Sequence, residues 1–311
     1  MSEINRRTAL ELGAMMATGI PLNALANDTV VAGPDTTGIN FDDPEATFRA
    51  RIKVLGSLAD EEIYRLSTGH IYGFVPGRQV FALMNIENYS VSRTHKLDNG
   101  NYQAHMWEVG VWTDRVTGEP LKTFNNPVTD QVVDVLPYAV GPLQLTITPG
   151  GILIPGTENT VHPQALQPRV FDGHIWYPFE SAVNLPNPLP EDDWPEASSG
   201  EIFSWHSVIV FSALLADIAD KKTSWAPAQS QYSEFTSWQP WLQMGHTPGG
   251  MMWRGYGKKF GPEAKIPRDI RKKIEQTIPE IFDRDNWTRL RNEFIDYKSH
   301  YGDAVGGNST R

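Results

Sequence analysis

The residues with the clearest capacity for chemistry are two glutamates that lie among aromatic residues in segments with strand-like alternation. Glu234 lies in the segment Tyr232–Trp238, where tyrosine, glutamate, threonine and tryptophan occupy alternate positions. Glu108 has the same kind of position in the segment Tyr102–Trp112. Successive side chains of a strand point to opposite sides, so each glutamate shares a face with aromatic residues. Two carboxyls in one apolar cavity would have raised pKa values, which suits general acid–base catalysis.

The sequence therefore predicts an acid–base site whose candidate catalytic residues are Glu234, Glu108, His105 and Tyr232. Nearby aromatic and amide side chains are candidates for ligand binding, namely Tyr102, Trp112, Asn126, Trp205, Trp238 and Trp241. A structural interpretation stays open for each. The glutamates can form buried salt bridges with cations such as Arg93, Arg254 or Lys258. The histidines and tryptophans can be core residues, and the asparagine can be a turn former.

Other kinds of catalytic site find no support in the sequence. The chain has no cysteine, which excludes disulfides, thiolate catalysis and cysteine-based zinc sites. His105 and Glu108 are three positions apart, so on a strand they face opposite sides and cannot share a metal without a bulge. Zinc-protease, nucleophile-elbow and glycine-rich phosphate-loop motifs are all missing. We therefore expect neither a metal nor another cofactor.

Two runs of residues carry a family resemblance. The first, WEVGVWTDRVTGEPLKTFNNPVTDQVVDV at positions 107–135, contains the shared positions Glu108, Asp114, Thr117, Gly118, Glu119, Asn126, Pro127, Thr129, Val133 and Val135. The second is WQPWLQMG at positions 238–245, followed by Pro-Gly at 248–249 and Gly-Lys-Lys at 257–259. Together they resemble a bacterial domain-of-unknown-function family, DUF1838, over roughly residues 44–260. The first run departs from that family at Trp107, Trp112, Phe124 and Asp130. The resemblance implies no particular chemistry.

Many strand-like segments joined by short turns predict a mainly β fold. Asn99-Gly100 and Asp172-Gly173 are typical hairpin turns. The stretch Tyr102–Tyr138 is interpreted as three consecutive antiparallel strands, and Pro44–Leu55 as a helix with proline at its first position. The arrangement favours an antiparallel up-and-down β-barrel of calycin (lipocalin-like) type with a C-terminal helical tail, which can hold one small ligand. A two-sheet sandwich is the alternative.

The termini predict export and a segmented organisation. Residues 1–26 resemble a twin-arginine leader, with Arg6-Arg7 before an apolar run and an A-x-A site at 24–26. The protein is therefore expected to be periplasmic or otherwise exported, although an amphipathic helix is an alternative for the same residues. A linker at 27–42, a β-barrel domain at 43–261, a helical tail at 262–301 and a disordered tail at 302–311 follow.

Composition limits the partners. The formal net charge of −10 argues against a nucleic acid, and no segment is predicted to span a membrane. The expected partner is an apolar small molecule, and a homodimer is left open. The first functional hypothesis is a cofactor-independent lyase or isomerase that acts on an aromatic or terpenoid molecule. Decarboxylation, aldehyde loss, dehydration and cyclisation all fit it. The second hypothesis is a non-catalytic lipocalin-like carrier, which needs the cavity but no pair of titrating groups.

Overall fold

The computed structural model describes residues 38–153, 168–262 and 264–284, together with residue 305. The interpreted export signal at 1–26, most of the linker, the later part of the helical tail and nearly all of the tail at 302–311 lie outside the described residues.

A large antiparallel sheet dominates the protein. Its ten strands are β1 (Glu62–Phe74), β2 (Phe81–Lys96), β3 (Tyr102–Thr113), β6 (Tyr138–Thr148), β7 (Gly151–Leu153), β8 (Arg169–Phe171), β9 (His174–Pro186), β10 (Ile202–Leu214), β11 (Ala228–Thr236) and β12 (Gly250–Phe260). They lie in the order β7-β6-β3-β2-β1-β12-β11-β10-β9-β8. The sheet curls into a half-barrel, so the mainly β, barrel-type expectation is confirmed. The first and last strands pair with each other, and the two edges are β7 and β8.

The three strands predicted for Tyr102–Tyr138 form, and an antiparallel bridge joins Thr113 to Pro120, but only the first of these strands belongs to the main sheet. The segments after β3 form short strands, β4 (Thr123–Asn125) and β5 (Val132–Asp134), which pair with each other in a separate two-stranded sheet. In the main sheet β3 instead pairs with β6. The turn that begins at Asn126-Pro127 reverses the chain, so β5 pairs with β4. The residues of a turn predict where the chain reverses, but they do not predict which strand pairs with β3.

The first helix, α1 (Pro44–Leu55), forms where the sequence predicts it. Asp43 caps its first turn by accepting a hydrogen bond from the Glu45 backbone N–H at 3.0 Å, and Pro44 needs no N–H there. The helix packs between distant parts of the sheet. Phe48 and Ile52 contact the β3–β6 side, while Ala50 and Val54 contact the β9–β10 side. Only the concave face can offer both sides to one helix, so α1 fills one end of the half-barrel.

Aromatic residues fill the other end of the half-barrel. Trp112, Trp238, Trp241 and Trp253 are at most 2 % exposed, and they pack with Tyr138, Trp194 and Leu242. We call this cluster the aromatic roof, made of Trp112, Tyr138, Trp194, Trp238, Trp241, Leu242 and Trp253. The 3₁₀ turn Pro240–Leu242 supplies two of its members. A half-buried tryptophan, Trp205, packs against its underside.

The C-terminal residues that the structure describes pack on the outside of the sheet. Helix α3 (Arg268–Glu275) and the 3₁₀ turn Pro279–Phe282 place Ile274 and Ile281 against Tyr89 and Val109 on the convex face of β2 and β3. A third short helix, α2 (Leu215–Ala219), follows β10 and packs with α1. No helix in the described part of the chain is both long and apolar enough to cross a membrane.

Candidate functional site

The concave face between α1 and the aromatic roof carries alternate residues of the central strands, and we call this region the chamber. Cross-strand register sets Glu108, Ser90, Arg65 and Lys259 side by side on one row of the concave face. Glu234 lies on a row nearer the roof, level with Trp253 and Ser207. Three strands lie between β11, which carries Glu234, and β3, which carries Glu108. The two glutamates nevertheless interact electrostatically, because the curl of the sheet turns β11 towards β3.

Glu234 is a buried carboxyl that the neighbouring strand holds in place. Its Oε1 accepts a hydrogen bond from the Ser207 hydroxyl at 2.8 Å, on the adjacent strand β10. Burial raises the pKa of Glu234 to about 7, and hydrogen bonds from Ser207 and Trp205 oppose that rise. No described cation lies within 4.0 Å, so the salt bridge that sequence reasoning left open is not formed by these residues.

Glu108 is the second carboxyl of the chamber. Burial raises its pKa to about 7, the negative charge of Glu234 adds to the rise, and the Arg65 guanidinium opposes it. Within the described ranges Glu108 makes neither a side-chain hydrogen bond nor an ion pair within 4.0 Å. Among the described residues, Arg65 is the cation whose charge acts on Glu108, and it does so from beyond 4.0 Å. The cations proposed from sequence lie elsewhere: Arg93 pairs with Asp60, and Arg254 and Lys258 are exposed.

Tyr232 lies flat across the sheet between the two carboxyls. Two glycines allow this, because a Cβ on Gly69 would come within 2.3 Å of the tyrosine hydroxyl oxygen and one on Gly255 within 2.4 Å. Burial raises the pKa of Tyr232, and the charges of Glu108 and Glu234 raise it further, while Ser67 lowers it. The buried hydroxyl finds no partner of good hydrogen-bond geometry among the described residues. The phenol is therefore neutral, with Ser67 as a hydrogen-bond contact of poor geometry.

Trp205 forms the apolar side of the chamber next to the carboxyls. Its ring stacks at 6.4 Å from that of Trp253 and lies 6.2 Å from that of Tyr138, both in the roof. It remains half-buried, unlike the roof residues themselves. Of the six candidate ligand-binding residues, Trp205 is the one that the structure places beside a carboxyl without burying its ring completely.

Four other candidates are packing or capping residues rather than chamber walls. Trp112, Trp238 and Trp241 are buried in the roof, and the first two donate indole hydrogen bonds to the carbonyls of Leu136 and Thr247. Tyr102 lies under α1, where its ring meets that of Phe48 edge-on at 5.9 Å. Each of these rings contacts its own chain on all sides.

Asn126 and His105 are also placed away from the chamber. Asn126 accepts a hydrogen bond from the Val128 N–H and donates one to the Leu242 carbonyl at 2.7 Å, so it fixes the β4–β5 turn to the roof. His105 lies on the opposite face of β3 from Glu108, as its spacing requires, and stacks on His95 at 5.7 Å. Burial lowers the pKa of His105, with the nearby charges of His95 and Arg93 adding to this effect.

Sequence reasoning missed Arg65 and Ser207. Arg65 falls in the strand Glu62–Phe74, and the spacing of the apolar residues in this segment does not distinguish a helix from a strand. Its place beside Glu108 comes from the pairing of β1 with β2 and of β2 with β3. In a strand, Arg65 shares a face with the small residues Ser67 and Gly69. This alternation is the sequence feature that could have identified Arg65 as a candidate. Among the described residues, no set of three His, Asp or Glu side chains is arranged to hold a metal ion.

Comparison with protein families assigns this chain. The family described as "Protein of unknown function (DUF1838)" matches residues 60–293. The chain belongs to this family. The match confirms the resemblance found in the sequence. It extends further towards the C-terminus than the two runs at 107–135 and 238–259 that carry the resemblance. A search of curated proteins gives no match. The family includes β1 to β12 and therefore the whole set of chamber residues, whereas α1 lies before the matched range.

Proposed function

We propose that this DUF1838 protein is a cofactor-independent acid–base enzyme, of lyase or isomerase type, for an aromatic or terpenoid molecule held in the half-barrel. The observation that carries the proposal is the pair Glu108 and Glu234. Both face one chamber, burial raises both pKa values to about 7, and neither forms an ion pair within 4.0 Å with a described residue. Perturbed carboxyls in a concave site are typical of catalytic acids and bases.

The surroundings of the two carboxyls differ in a way that assigns their roles. Hydrogen bonds from Ser207 and Trp205 favour the charged form of Glu234, which makes it the base. The charge on Glu234 then disfavours ionisation of Glu108, which keeps its proton and becomes the acid. The two protons titrate as a coupled pair. In an elimination, Glu234 takes a proton from the substrate and Glu108 gives one to the departing oxygen, so the net proton count is unchanged.

The remaining wall residues suit a substrate with a ring and a polar group. Trp205 offers a flat apolar surface beside Glu234. Tyr232 stays neutral, because its raised pKa keeps the phenol protonated, and its hydroxyl, which has only a poor contact with Ser67, can donate to an oxygen that gains charge during the reaction. These features support proton transfer on an aromatic or terpenoid compound.

The carrier hypothesis makes a different demand on the same chamber. A carrier needs one polar group to orient its ligand, whereas this chamber turns two carboxyls, a phenol and a guanidinium towards one space. Burying titrating groups without pairing them lowers the stability of the fold, which a passive carrier gains nothing from. The balance of these features favours the enzyme.

A substitution of Glu234 tests the proposal. Compounds from a panel of aromatic dimers and terpenoids that raise the melting temperature are incubated with the protein in D₂O, and NMR follows their C–H signals. We expect Glu234→Gln to lower the rate of proton exchange or conversion by about 10²-fold or more while the melting temperature holds. Glu180→Gln is the matched control, since Glu180 is exposed on the convex side of β9. Bound compounds with an unchanged rate in Glu234→Gln, or no exchange in the wild type, would support the carrier.

A further inference from the structure

Arg65 is a half-buried cation, and the described residues use little of its hydrogen-bonding capacity. One terminal nitrogen donates to the Leu55 carbonyl at the end of α1, and this is its only hydrogen bond to a described residue. A guanidinium carries five N–H donors. Burial lowers the pKa of Arg65 to about 10, with Glu108 opposing the shift, so the group is charged at neutral pH. None of the described carboxylates lies within 4.0 Å of it.

Lys259, beside Arg65, uses more of its hydrogen-bonding capacity, with two of its three N–H donors bound to described residues. Its amine donates to the carbonyls of Lys53 and Gly56, so it caps the C-terminal end of α1. Burial lowers the pKa of Lys259 well below its ordinary value, and the charges of Arg65 and Lys53 add to this. The lysine is committed to the helix end, whereas the arginine touches that end with one nitrogen only.

The charge at this end of the chamber is therefore not balanced by the chain that the structure describes. Glu108 faces Arg65, but its raised pKa leaves it protonated in a large fraction of molecules near neutral pH. A buried guanidinium normally has a hydrogen-bonded anion beside it, because an unpaired buried charge is costly. Strand pairing places Arg65 on the same row of the concave face as Glu108, and the charges of these two residues interact.

We propose that the ligand of this chamber carries an anionic oxygen, in the form of an aromatic carboxylate, and that Arg65 binds it. This rests on the proposed function, because it names the substrate class of the same site. The carboxylate accepts hydrogen bonds from the free guanidinium donors, and its ring lies towards Trp205. A guanidinium matches the planar geometry of a carboxylate better than an ammonium does.

The overall charge of the protein makes this proposal specific. With a formal net charge of −10, the molecule as a whole repels anions. Any preference for an anionic over a neutral ligand of equal shape must then come from a local group. Bound anion also disfavours ionisation of Glu108, so it holds that residue in the protonated form that the acid role requires.

Two probes of equal shape test the idea without any turnover. Isothermal titration calorimetry of the full chain compares naphthalene-2-carboxylate with naphthalene-2-carboxamide at pH 7. We expect the carboxylate to bind at least tenfold more tightly, and Arg65→Gln to reduce the ratio to below twofold. Arg254→Gln is the control, because it removes the same charge from the exposed convex side of β12 and should leave the ratio unchanged.

Each other outcome gives a clear answer. Equal affinities in the wild type would overturn the anionic substrate class, as would the lack of binding by both probes. A ratio that falls equally in Arg254→Gln would place the preference outside the chamber and would also overturn it. If Arg65→Gln fails to fold because the Leu55 cap is lost, Arg65→Lys replaces it and should keep a preference above twofold with weaker binding. The proton-exchange result for Glu234→Gln is independent of these affinities, so the proposed function can survive a failure here.

Discussion

The two ends of the half-barrel are built in opposite ways. In the aromatic roof, Trp112, Trp238 and Trp253 are almost completely buried and each donates its indole N–H to an oxygen, while Trp241 is equally buried and its indole N–H alone among the four has no described partner. In the chamber below, Glu108, Arg65 and Tyr232 are polar groups with few or no partners. Satisfied, close-packed groups stabilise a fold, whereas unsatisfied buried groups lower its stability and are retained where they serve a function. The difference separates the part of the protein that holds the shape from the part that is available for chemistry.

The largest expected effect is on stability, at the roof. Trp112→Ala removes a ring that packs against Tyr138, Trp241 and Trp253, and leaves the Leu136 carbonyl without its donor. We expect the free energy of unfolding to fall by about 3–5 kcal/mol, measured by urea denaturation. Trp205→Ala is the comparison in the chamber and should cost less than half as much, because its ring is half-buried. Equal losses at the two positions would remove the distinction between roof and chamber.

In the chamber, a smaller effect is expected, and there the substitution Glu108→Gln should increase the free energy of unfolding relative to wild type as the pH rises. The folded pKa of Glu108, about 7, lies above its ordinary value of 4.5, so the folded state holds the proton more tightly. This contribution to stability is complete below pH 4.5 and is lost as the pH rises to about 7. Glu108→Gln carries no charge and escapes that loss, so its stability relative to wild type should rise between pH 5 and pH 8 by up to about 3 kcal/mol.

Thermal or urea unfolding at the two pH values measures this change. The exposed Glu180→Gln variant is the control and should show no comparable difference between pH 5 and pH 8. A Glu108→Gln protein that is less stable than wild type at pH 8 would mean that the carboxylate is a structural partner in the folded state. The comparison between a satisfied roof and an unsatisfied chamber would then be wrong at its most important residue.

Local patterns in the sequence were sufficient for the helix and for the faces of the strands. Asp43 before Pro44 predicts the start of α1 because capping depends on neighbouring residues only. The alternation in β3 predicts that Glu108 and His105 face opposite sides, and continuous pairing with β2 keeps that alternation regular. Such features depend on the backbone geometry of one segment, so they can be predicted without knowledge of the rest of the chain.

The parts that could not be predicted depend on contacts between distant segments. Trp112 and Trp205 look equivalent in the sequence, yet one lies in the roof and the other beside Glu234, because the turn at Pro240–Leu242 covers only the first. Arg65 reaches the site through two strand pairings and the end of α1. The β4–β5 hairpin was predicted, but its separation from the main sheet could not be, since alternation does not specify which strands pair.

The most direct test of the central claim is a pH titration of the glutamate side chains, followed by NMR of carboxyl carbons labelled with ¹³C. Glu108→Gln and Glu234→Gln assign the two signals. We predict that two carboxyls titrate near pH 7 as a coupled pair, and that removing Glu234 lowers the pKa of Glu108, because one of the causes of its rise is the Glu234 charge. If every glutamate instead titrates below about pH 5.5, near the ordinary range for this side chain, the chamber holds no such acid–base pair.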